Sequence, residues 1–254
     1  MNKHLIHAVI ILFAVSVAQA ADAPPPIPVV PKDAKALVGV PRPASDNVAA
    51  RTEQFNRQAK AGGFDVLFIG DSITHLWEQH GKEVCEERIA PFGAANFGIG
   101  GDTTATVLWR LDHGNLEGAL DPKVIVLMLG TNNIGWSPPE ETAAALGVIL
   151  EKLHTRFPKA KILLFAIFAR DEPGTKLRQI NDGVNAIISK FDGHWNIKYI
   201  DLNSRLAGPD GHRRPGLYWD ATHLTAQGYE VWADALVPEF QAILKPAAVP
   251  AGRL

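Results

Sequence analysis

Short apolar runs alternate along the chain with longer segments in which apolar residues recur at helical spacing. Five runs predict strands at 66–69, 94–99, 124–129, 162–168 and 197–202. Several of these runs are apolar throughout, which is typical of parallel strands buried on both faces. Helices are predicted at 46–61, 102–111, 137–157 and 177–191, and after Thr225. The alternation predicts an α/β domain in which helices cover both faces of a five-stranded parallel sheet.

The first strand ends at Gly70, and Asp71 and Ser72 then open a segment with helical spacing. A serine at a strand-to-helix turn lies at the edge of the sheet and at the positive end of a helix. In that position its hydroxyl is accessible to a substrate, and a developing oxyanion is stabilised. Ser72 is therefore a candidate nucleophile, although an N-cap of the short helix is an equally good interpretation of this residue alone.

Polar residues also occupy the loops that follow the next strands and precede the last helix. The carboxyl ends of parallel strands meet in one crevice, so these loops are expected to converge. His223 is the candidate base for Ser72, and Asp220 is close enough in the same loop to orient the imidazole. The backbone N–H groups of Ser72 and Gly101 and the side-chain amide of Asn132 are candidate oxyanion donors.

Each of these residues has a simpler interpretation when taken alone. The glycines can form a turn or bind phosphate, although Thr103 stands where a dinucleotide fingerprint requires its third glycine. Asn132 can be a turn residue, and His223 can be a surface histidine. Because all these features occur together in the predicted crevice, catalysis is the favoured interpretation.

Other classes of function lack their signals in this sequence. No His-x-x-x-His pair or Cys–His cluster occurs, so neither a metal nor another cofactor is predicted. The absence of Gly-x-Ser-x-Gly argues against the nucleophile elbow of α/β-hydrolases. A net charge of -2 without a basic stripe argues against a nucleic-acid partner. Cys85 is the only cysteine, so no internal disulfide is expected.

Four blocks of this sequence resemble those of the GDSL, or SGNH, hydrolases. They are Gly70-Asp71-Ser72-Ile73, Gly101, Asn132 and Asp220-x-x-His223, in that order. The stretches 96–104, 107–111 and 130–133 are most similar to the catalytic subunits of the intracellular platelet-activating-factor acetylhydrolase of isoform Ib. The resemblance, from about residue 66 to residue 244, implies a three-layer flavodoxin-like fold and a metal-free serine esterase mechanism that prefers short acyl groups. It implies the roles already described for the triad and the oxyanion donors.

The N-terminus has the pattern of a secretory signal peptide over residues 1–20. A short positive start precedes an apolar run at 5–17, and the small-x-small pattern that ends at Ala20 predicts cleavage there. A secreted or periplasmic protein without a stable membrane anchor is expected, with an uncleaved anchor as the alternative. Proline-rich residues 21–44 predict an extended spacer, 45–246 the hydrolase domain, and 247–254 a C-terminal tail.

Export changes the substrate that is expected from the resemblance. The intracellular subfamily has no leader, and an exported esterase meets acetylated carbohydrate more readily than an intracellular phospholipid. The predicted function is therefore the removal of short acyl groups, acetyl above all, from a glycan or small-molecule ester. The alternatives are a lysophospholipase or thioesterase for longer chains, and a non-catalytic carbohydrate-binding protein of the same fold. The oligomeric state is not predicted.

Five residues next to the predicted catalytic groups are candidates for substrate binding. Trp136 and Trp219 lie in the loops after Asn132 and before Asp220, where they are candidate platforms for sugar rings or, equally, residues that pack the loops. Adjacency to the catalytic residues makes the remaining three candidate walls of a small acyl pocket: Ile73, Thr131 and Thr222.

Overall fold

Five strands lie side by side in the computed structural model, which describes residues 23–43 and 46–244. They are β1 (Val66–Gly70), β2 (Ala94–Gly98), β3 (Val124–Met128), β4 (Lys161–Phe165) and β5 (Ile197–Ile200). The spatial order is β2-β1-β3-β4-β5, and every neighbouring pair is parallel. The predicted five-stranded parallel sheet is confirmed, and its order is that of flavodoxin-like folds.

Helices cover the two faces of this sheet. They are α1 (Asp46–Ala61), α2 (Ser72–His75), α3 (Lys82–Val84), α4 (Thr104–Arg110), α5 (Pro139–Arg156), α6 (Lys176–Ile188), α7 (Asn203–Leu206) and α8 (Ala226–Ile243). Alternate residues of β1 point to opposite faces: Leu67 and Ile69 pack with α1, α4, α5 and α6, whereas Val66 and Phe68 pack with α8. The predicted three-layer arrangement is therefore confirmed.

Aromatic side chains of α8 fix this helix against the sheet. Trp232 is fully buried, and Phe68, Phe165 and Phe168 meet its ring edge-on at centroid distances of 5.0 to 6.4 Å. The buried hydroxyl of Tyr229 donates to the backbone O of Ile73 at 2.6 Å. Since Ile73 follows Ser72 in the chain, this bond ties the start of α8 to the segment that carries Ser72 after β1.

Residues 23–43, here named the N-terminal arm, form no strand and lie against the domain. Ala36 is fully buried, and Ile27 packs against the core beside α5, at Gly147. The backbone O of Ala36 accepts from Thr104 Oγ1 at 2.9 Å. The predicted spacer is thus not separate from the fold, because apolar residues between its prolines pack against the domain. It is not extended throughout either, since Ala34 N donates to Pro31 O at 3.0 Å and Leu37 N to Ala34 O at 2.8 Å in consecutive turns. The packed structure begins before residue 45.

Two parts of the predicted organisation lie outside the described residues. These are the signal peptide, 1–20, and the C-terminal tail, 247–254. Across the two described ranges, no helix has both the length and the apolar character needed to cross a membrane.

Candidate active site

The site lies at the carboxyl ends of the central strands. β1 has β2 on one side and β3 on the other, so the chain connections diverge from β1 and leave a crevice at this point. Ser72 lies directly after β1, Gly101 after β2 and Asn132 after β3. The strand order thus explains why residues from separate parts of the chain are neighbours.

A continuous series of hydrogen bonds joins Ser72, His223 and Asp220. Ser72 Oγ lies 2.8 Å from His223 Nε2, although 151 residues separate them in sequence. His223 Nδ1 lies 2.7 Å from Asp220 Oδ2. The carboxylate favours the tautomer with hydrogen on Nδ1, which leaves Nε2 free to accept the proton of the serine hydroxyl. The structure therefore brings together the three residues that the sequence identifies as a candidate triad.

Asp220 is fixed by its own loop as well as by the imidazole. Its Oδ1 accepts from the backbone N of Thr222 at 2.7 Å and of His223 at 2.6 Å. Partial burial opposes ionisation, but the hydrogen bonds from His223 and Thr222 outweigh it and hold the pKa of Asp220 below its usual value. The carboxylate therefore stays ionised beside the imidazole.

The loop after β2 lies against Ser72. A Cβ added at Gly100 would lie 3.9 Å from the Ser72 Cβ, within ordinary contact distance. Gly101 has a φ of 79°, in the left-handed region that favours glycine. Asn132 Nδ2 donates one hydrogen to Asp102 O at 2.9 Å. An amide nitrogen carries two hydrogens, so Asn132 retains one for a ligand. The loop that carries Gly101 therefore lies against Ser72, and Asn132 is joined to the same loop through Asp102.

His75 supports the same loop from α2, one turn after Ser72. Its side chain is half-buried, and its Nδ1 accepts from the backbone N of Gly100 at 3.3 Å. Burial, reinforced by the charge of Arg51, lowers the pKa of His75 and favours the neutral form that can accept this bond. The sequence alone does not predict this contact, although a spacing of three residues on a helix places the side chains of Ser72 and His75 near each other.

Asp71 is a second supporting residue without a predicted role. It is fully buried and precedes α2 as the N-cap, with Oδ1 accepting from the backbone N of Ile73 at 3.0 Å. Burial raises the pKa of Asp71 to about 7, and the charge of Asp102 adds to this effect. A carboxyl group that titrates near neutrality therefore lies directly before Ser72.

The predicted substrate-binding residues occupy different environments. Trp136 and Trp219 are 43% and 54% exposed, and Thr222 is half-buried at the surface. Ile73 and Thr131 are each only 1% exposed. These two side chains pack behind the site, so they do not form the surface of an acyl pocket. Adjacency in sequence is misleading here because a side chain next to a catalytic residue on a short helix points into the core.

Trp219 also contacts the catalytic loop. Its ring is roughly parallel to the imidazole of His223, with centroids 5.7 Å apart, and it stacks on His80 at 5.1 Å. Its backbone N donates to His223 O at 3.1 Å. Trp219 therefore fits both predicted roles. It packs against the imidazole of His223, and it also presents an exposed aromatic surface that a sugar ring could contact.

Comparison with known proteins relates the chain to esterases. The sequence model of the GDSL-like lipase/acylhydrolase family matches residues 68–231. Human platelet-activating factor acetylhydrolase IB subunit alpha2 is 40% identical over 166 residues, which cover 65% of this chain and 71% of that protein. The human alpha1 subunit is 34% identical over 166 residues, with coverages of 65% and 70%.

Solved structures share the architecture at lower sequence identity. A GDSL-like lipase from Bacteroides thetaiotaomicron is 20% identical with a TM-score of 0.58, covering 77% of this chain and 99% of that one. An acetylxylan esterase from Geobacillus stearothermophilus is 20% identical with a TM-score of 0.56, covering 70% and 94%. The chain belongs to the GDSL-like lipase/acylhydrolase family and has the SGNH hydrolase fold that its sequence predicts. It is a carboxylic ester hydrolase.

Proposed function

We propose that this protein is an exported serine esterase that removes short acyl groups, acetyl above all, from carbohydrate. One observation carries the catalytic part of the proposal. The hydroxyl of Ser72 lies 2.8 Å from an imidazole nitrogen of His223, whose other nitrogen lies 2.7 Å from the carboxylate of Asp220. Both distances are those of hydrogen bonds, so proton transfer from the hydroxyl needs no large rearrangement.

Ser72 is the nucleophile in this mechanism. Its Oγ attacks the acyl carbon while the hydroxyl proton passes to His223 Nε2. The tetrahedral intermediate collapses when the bond to the alcohol oxygen breaks, and His223 donates its proton to that oxygen. Water then attacks the acyl-serine with His223 again as base. The second tetrahedral intermediate collapses when its bond to Ser72 Oγ breaks, His223 returns the proton to Oγ, and the carboxylic acid leaves. Asp220 stabilises the imidazolium that forms in both halves of the reaction.

Three amide hydrogens are available to the oxyanion. They belong to the backbone N of Ser72, the backbone N of Gly101 and the side chain of Asn132. Ser72 is the first residue of α2, so its N–H has no partner within the helix. Gly101 has no side chain to block the approach of a ligand. Donors fixed in place before the reaction stabilise the developing charge at little reorganisation cost.

The carbohydrate part of the proposal rests on exposed aromatic surface beside the site. Trp136 donates from Nε1 to Asn132 O at 2.6 Å, so its ring is anchored to a proposed oxyanion residue, and the residue as a whole is 43% exposed. It borders a groove of about 520 Å³ that Val38, Val40 and Thr103 also line. Flat apolar rings with a polar edge suit the faces of sugars. The acetylxylan esterase of the same fold and the acetylhydrolase relatives are consistent with an acetyl ester.

The proposal of export rests on the sequence of residues 1–20. Expression in a bacterial host, followed by fractionation and mass analysis of the mature chain, tests it. The expected product lies outside the cytoplasm and begins at Ala21. A full-length chain retained in the cytoplasm would contradict export without bearing on the catalytic proposal.

The central experiment compares the wild type with Ser72→Ala on an aryl acetate. The variant is expected to lose at least about a thousandfold in kcat, to resist labelling by a fluorophosphonate, and to unfold at the wild-type temperature. Retained activity or labelling would disprove the role of Ser72. An acyl-length series and acetate release from acetylated xylan then test the substrate: a rate maximum at long chains would favour a lysophospholipase or thioesterase. A wild type that binds glycan without turnover would favour a binding protein.

A further inference from the structure

Three arginine side chains donate to carbonyl oxygens at the end of β2 and in the loop that follows it. The contacts are Arg110 Nη2 to Phe97 O at 2.7 Å, Arg51 Nε to Gly98 O at 2.6 Å, and Arg42 Nη1 to Gly100 O at 2.6 Å. Arg42 belongs to the N-terminal arm, which lies outside the region 68–231 that matches the family. A segment that precedes the matched region thus contacts the loop that carries a proposed oxyanion donor.

The contact of Arg42 has a direct geometric consequence for Gly101. The carbonyl of Gly100 and the N–H of Gly101 belong to the same trans peptide unit. Because such a unit is planar, its C=O and N–H point in opposite directions. A guanidinium that holds the oxygen on one side therefore fixes the direction of the hydrogen on the other. We infer that Arg42 is a positioning residue that directs the Gly101 N–H toward the oxyanion of the reaction.

Two further observations fix the guanidinium in this position. Arg42 Nη1 also lies 3.8 Å from Oδ1 of Asp102, whose side chain is fully buried. A Cβ added at Gly101 would lie only 2.8 Å from Arg42 Nη1, so the guanidinium packs directly on the turn. A hydrogen bond from a charged donor is stronger than one between neutral groups, and the side chain is only 27% exposed. The contact is thus more than a solvated surface pair.

The arm itself is anchored to α4 on the N-terminal side of Arg42. Val40 N donates to Ala105 O at 3.2 Å, and Ala36 O accepts from Thr104 Oγ1 at 2.9 Å. These bonds hold the backbone before Arg42, so less conformational entropy is lost when its side chain binds Gly100. The arm therefore acts as part of the active-site scaffold.

Kinetics of Arg42→Ala test this inference, which rests on the proposed function. Loss of a whole oxyanion donor typically lowers kcat by about a hundred- to a thousandfold, so a misdirected donor is expected to lower it by about ten- to a hundredfold. KM is expected to change little. The kcat values for acetate and butyrate esters are expected to fall by the same factor, because the donor stabilises the tetrahedral intermediate of every ester. Arg42→Lys is expected to keep a higher kcat than Arg42→Ala, because it retains a charged donor. Low concentrations of guanidinium added to Arg42→Ala are expected to restore part of the lost kcat.

Lys32→Gln is the matched control, since it removes one positive charge from an exposed position of the same arm. It is expected to leave kcat unchanged. A readout that does not depend on turnover is amide hydrogen exchange at Asp102, whose N–H donates to Ile99 O at 3.1 Å. Exchange there is expected to be faster in Arg42→Ala than in the wild type or in Lys32→Gln.

The outcomes separate this inference from the proposed function. An active wild type with unchanged kcat and unchanged exchange in Arg42→Ala would overturn the role of Arg42 alone. A loss confined to KM, or to one acyl length, would also overturn it, because it would indicate contact with substrate. A wild type that neither hydrolyses esters nor reacts with a fluorophosphonate would overturn both.

Discussion

Arg110 and Asp102 form a buried ion pair behind the loop of the proposed oxyanion hole. Arg110 Nε lies 2.9 Å from Asp102 Oδ2, and the two side chains are 3% and 0% exposed. The same guanidinium donates to Asn115 Oδ1 and to the backbone O of Phe97. Burial lowers the pKa of Arg110, and the adjacent carboxylate opposes that effect. The pair therefore joins α4 to the end of β2 at a buried position, where neither charged side chain is exposed to bulk solvent.

Removal of Arg110 is expected to be strongly destabilising. Arg110→Met leaves the carboxylate of Asp102 buried without its main partner, which typically lowers the free energy of unfolding by about 3–5 kcal/mol. Urea unfolding at neutral pH measures the change. Lys152→Met is the control, because it removes a cation whose partner, Asp112, is 54% exposed. Such surface pairs contribute about 1 kcal/mol or less. Equal losses in the two variants would contradict a structural role for the buried pair.

Asp220→Asn tests the orientation of the imidazole separately from the nucleophile. The amide oxygen can still accept from Thr222 N and His223 N, so the loop is expected to keep its conformation. The neutral side chain no longer stabilises the imidazolium or favours the productive tautomer, so kcat is expected to fall by about a hundred- to ten-thousandfold. His223→Ala is expected to lose more, since no base remains. Steady-state hydrolysis of an aryl acetate measures both.

Asp210→Asn is the matched control for this variant. Asp210 Oδ1 accepts from the backbone N of His212, two residues later, as Asp220 does from Thr222. The control therefore makes the same chemical change in a similar turn away from the imidazole. Wild-type kcat is expected for Asp210→Asn. A wild-type kcat for Asp220→Asn as well would show that His223 needs no carboxylate partner.

The sequence predicts the sheet and the converging residues well because both depend on local signals. A buried parallel strand is a short apolar run, and the polar residue after it must lie at the carboxyl edge of the sheet. Ser72 and Asn132 are predicted in this way. Contacts between distant segments have no such signal. Arg42 lies 58 residues before Gly100, in a proline-rich segment that has no helical or strand periodicity. Only the folded chain shows that they touch.

The side chains of Ile73 and Thr131 illustrate a second limit of sequence patterns. Position in the chain fixes which loop a residue occupies, but the direction of its side chain depends on the local backbone. Ile73 lies on α2 and belongs to the buried core cluster that includes Trp77 and Tyr229, whereas Ser72 before it is hydrogen-bonded to His223. A residue next to a catalytic group therefore lines the site or packs in the core, depending on the side of the helix from which its side chain projects.

The two exposed tryptophans are expected to differ in their effects. Trp136→Ala is expected to raise KM for an acetylated oligosaccharide by up to about tenfold, the equivalent of about 1.4 kcal/mol of stacking, and to leave the hydrolysis of an aryl acetate unchanged. Trp219→Ala is expected to lower kcat for both substrates, because its ring also lies against His223. Parallel kinetics on the two substrates measure the difference. Equal effects of Trp136→Ala on both would argue against a sugar platform.

Asp71 gives the protein a specific dependence of stability on pH. The carboxyl is fully buried, and its pKa is raised from 3.8 in the unfolded chain to about 7. Between these two values the folded state holds a proton that the unfolded state releases. The free energy of unfolding therefore falls as the pH rises through this window, by about 1.4 kcal/mol per pH unit from this group.

Asp71→Asn is expected to remove that dependence. The amide oxygen still accepts from Ile73 N, so the cap of α2 is kept, but the side chain is neutral at every pH. Relative to the wild type, the variant is expected to become progressively more stable between about pH 4 and about pH 7, with no further change above the folded pKa. Urea unfolding of both proteins across this range measures the difference. If the difference in free energy of unfolding between the two proteins were constant with pH, Asp71 would have the same pKa in the folded and unfolded chains. Another contact would then have to offset the effect of burial on its charge.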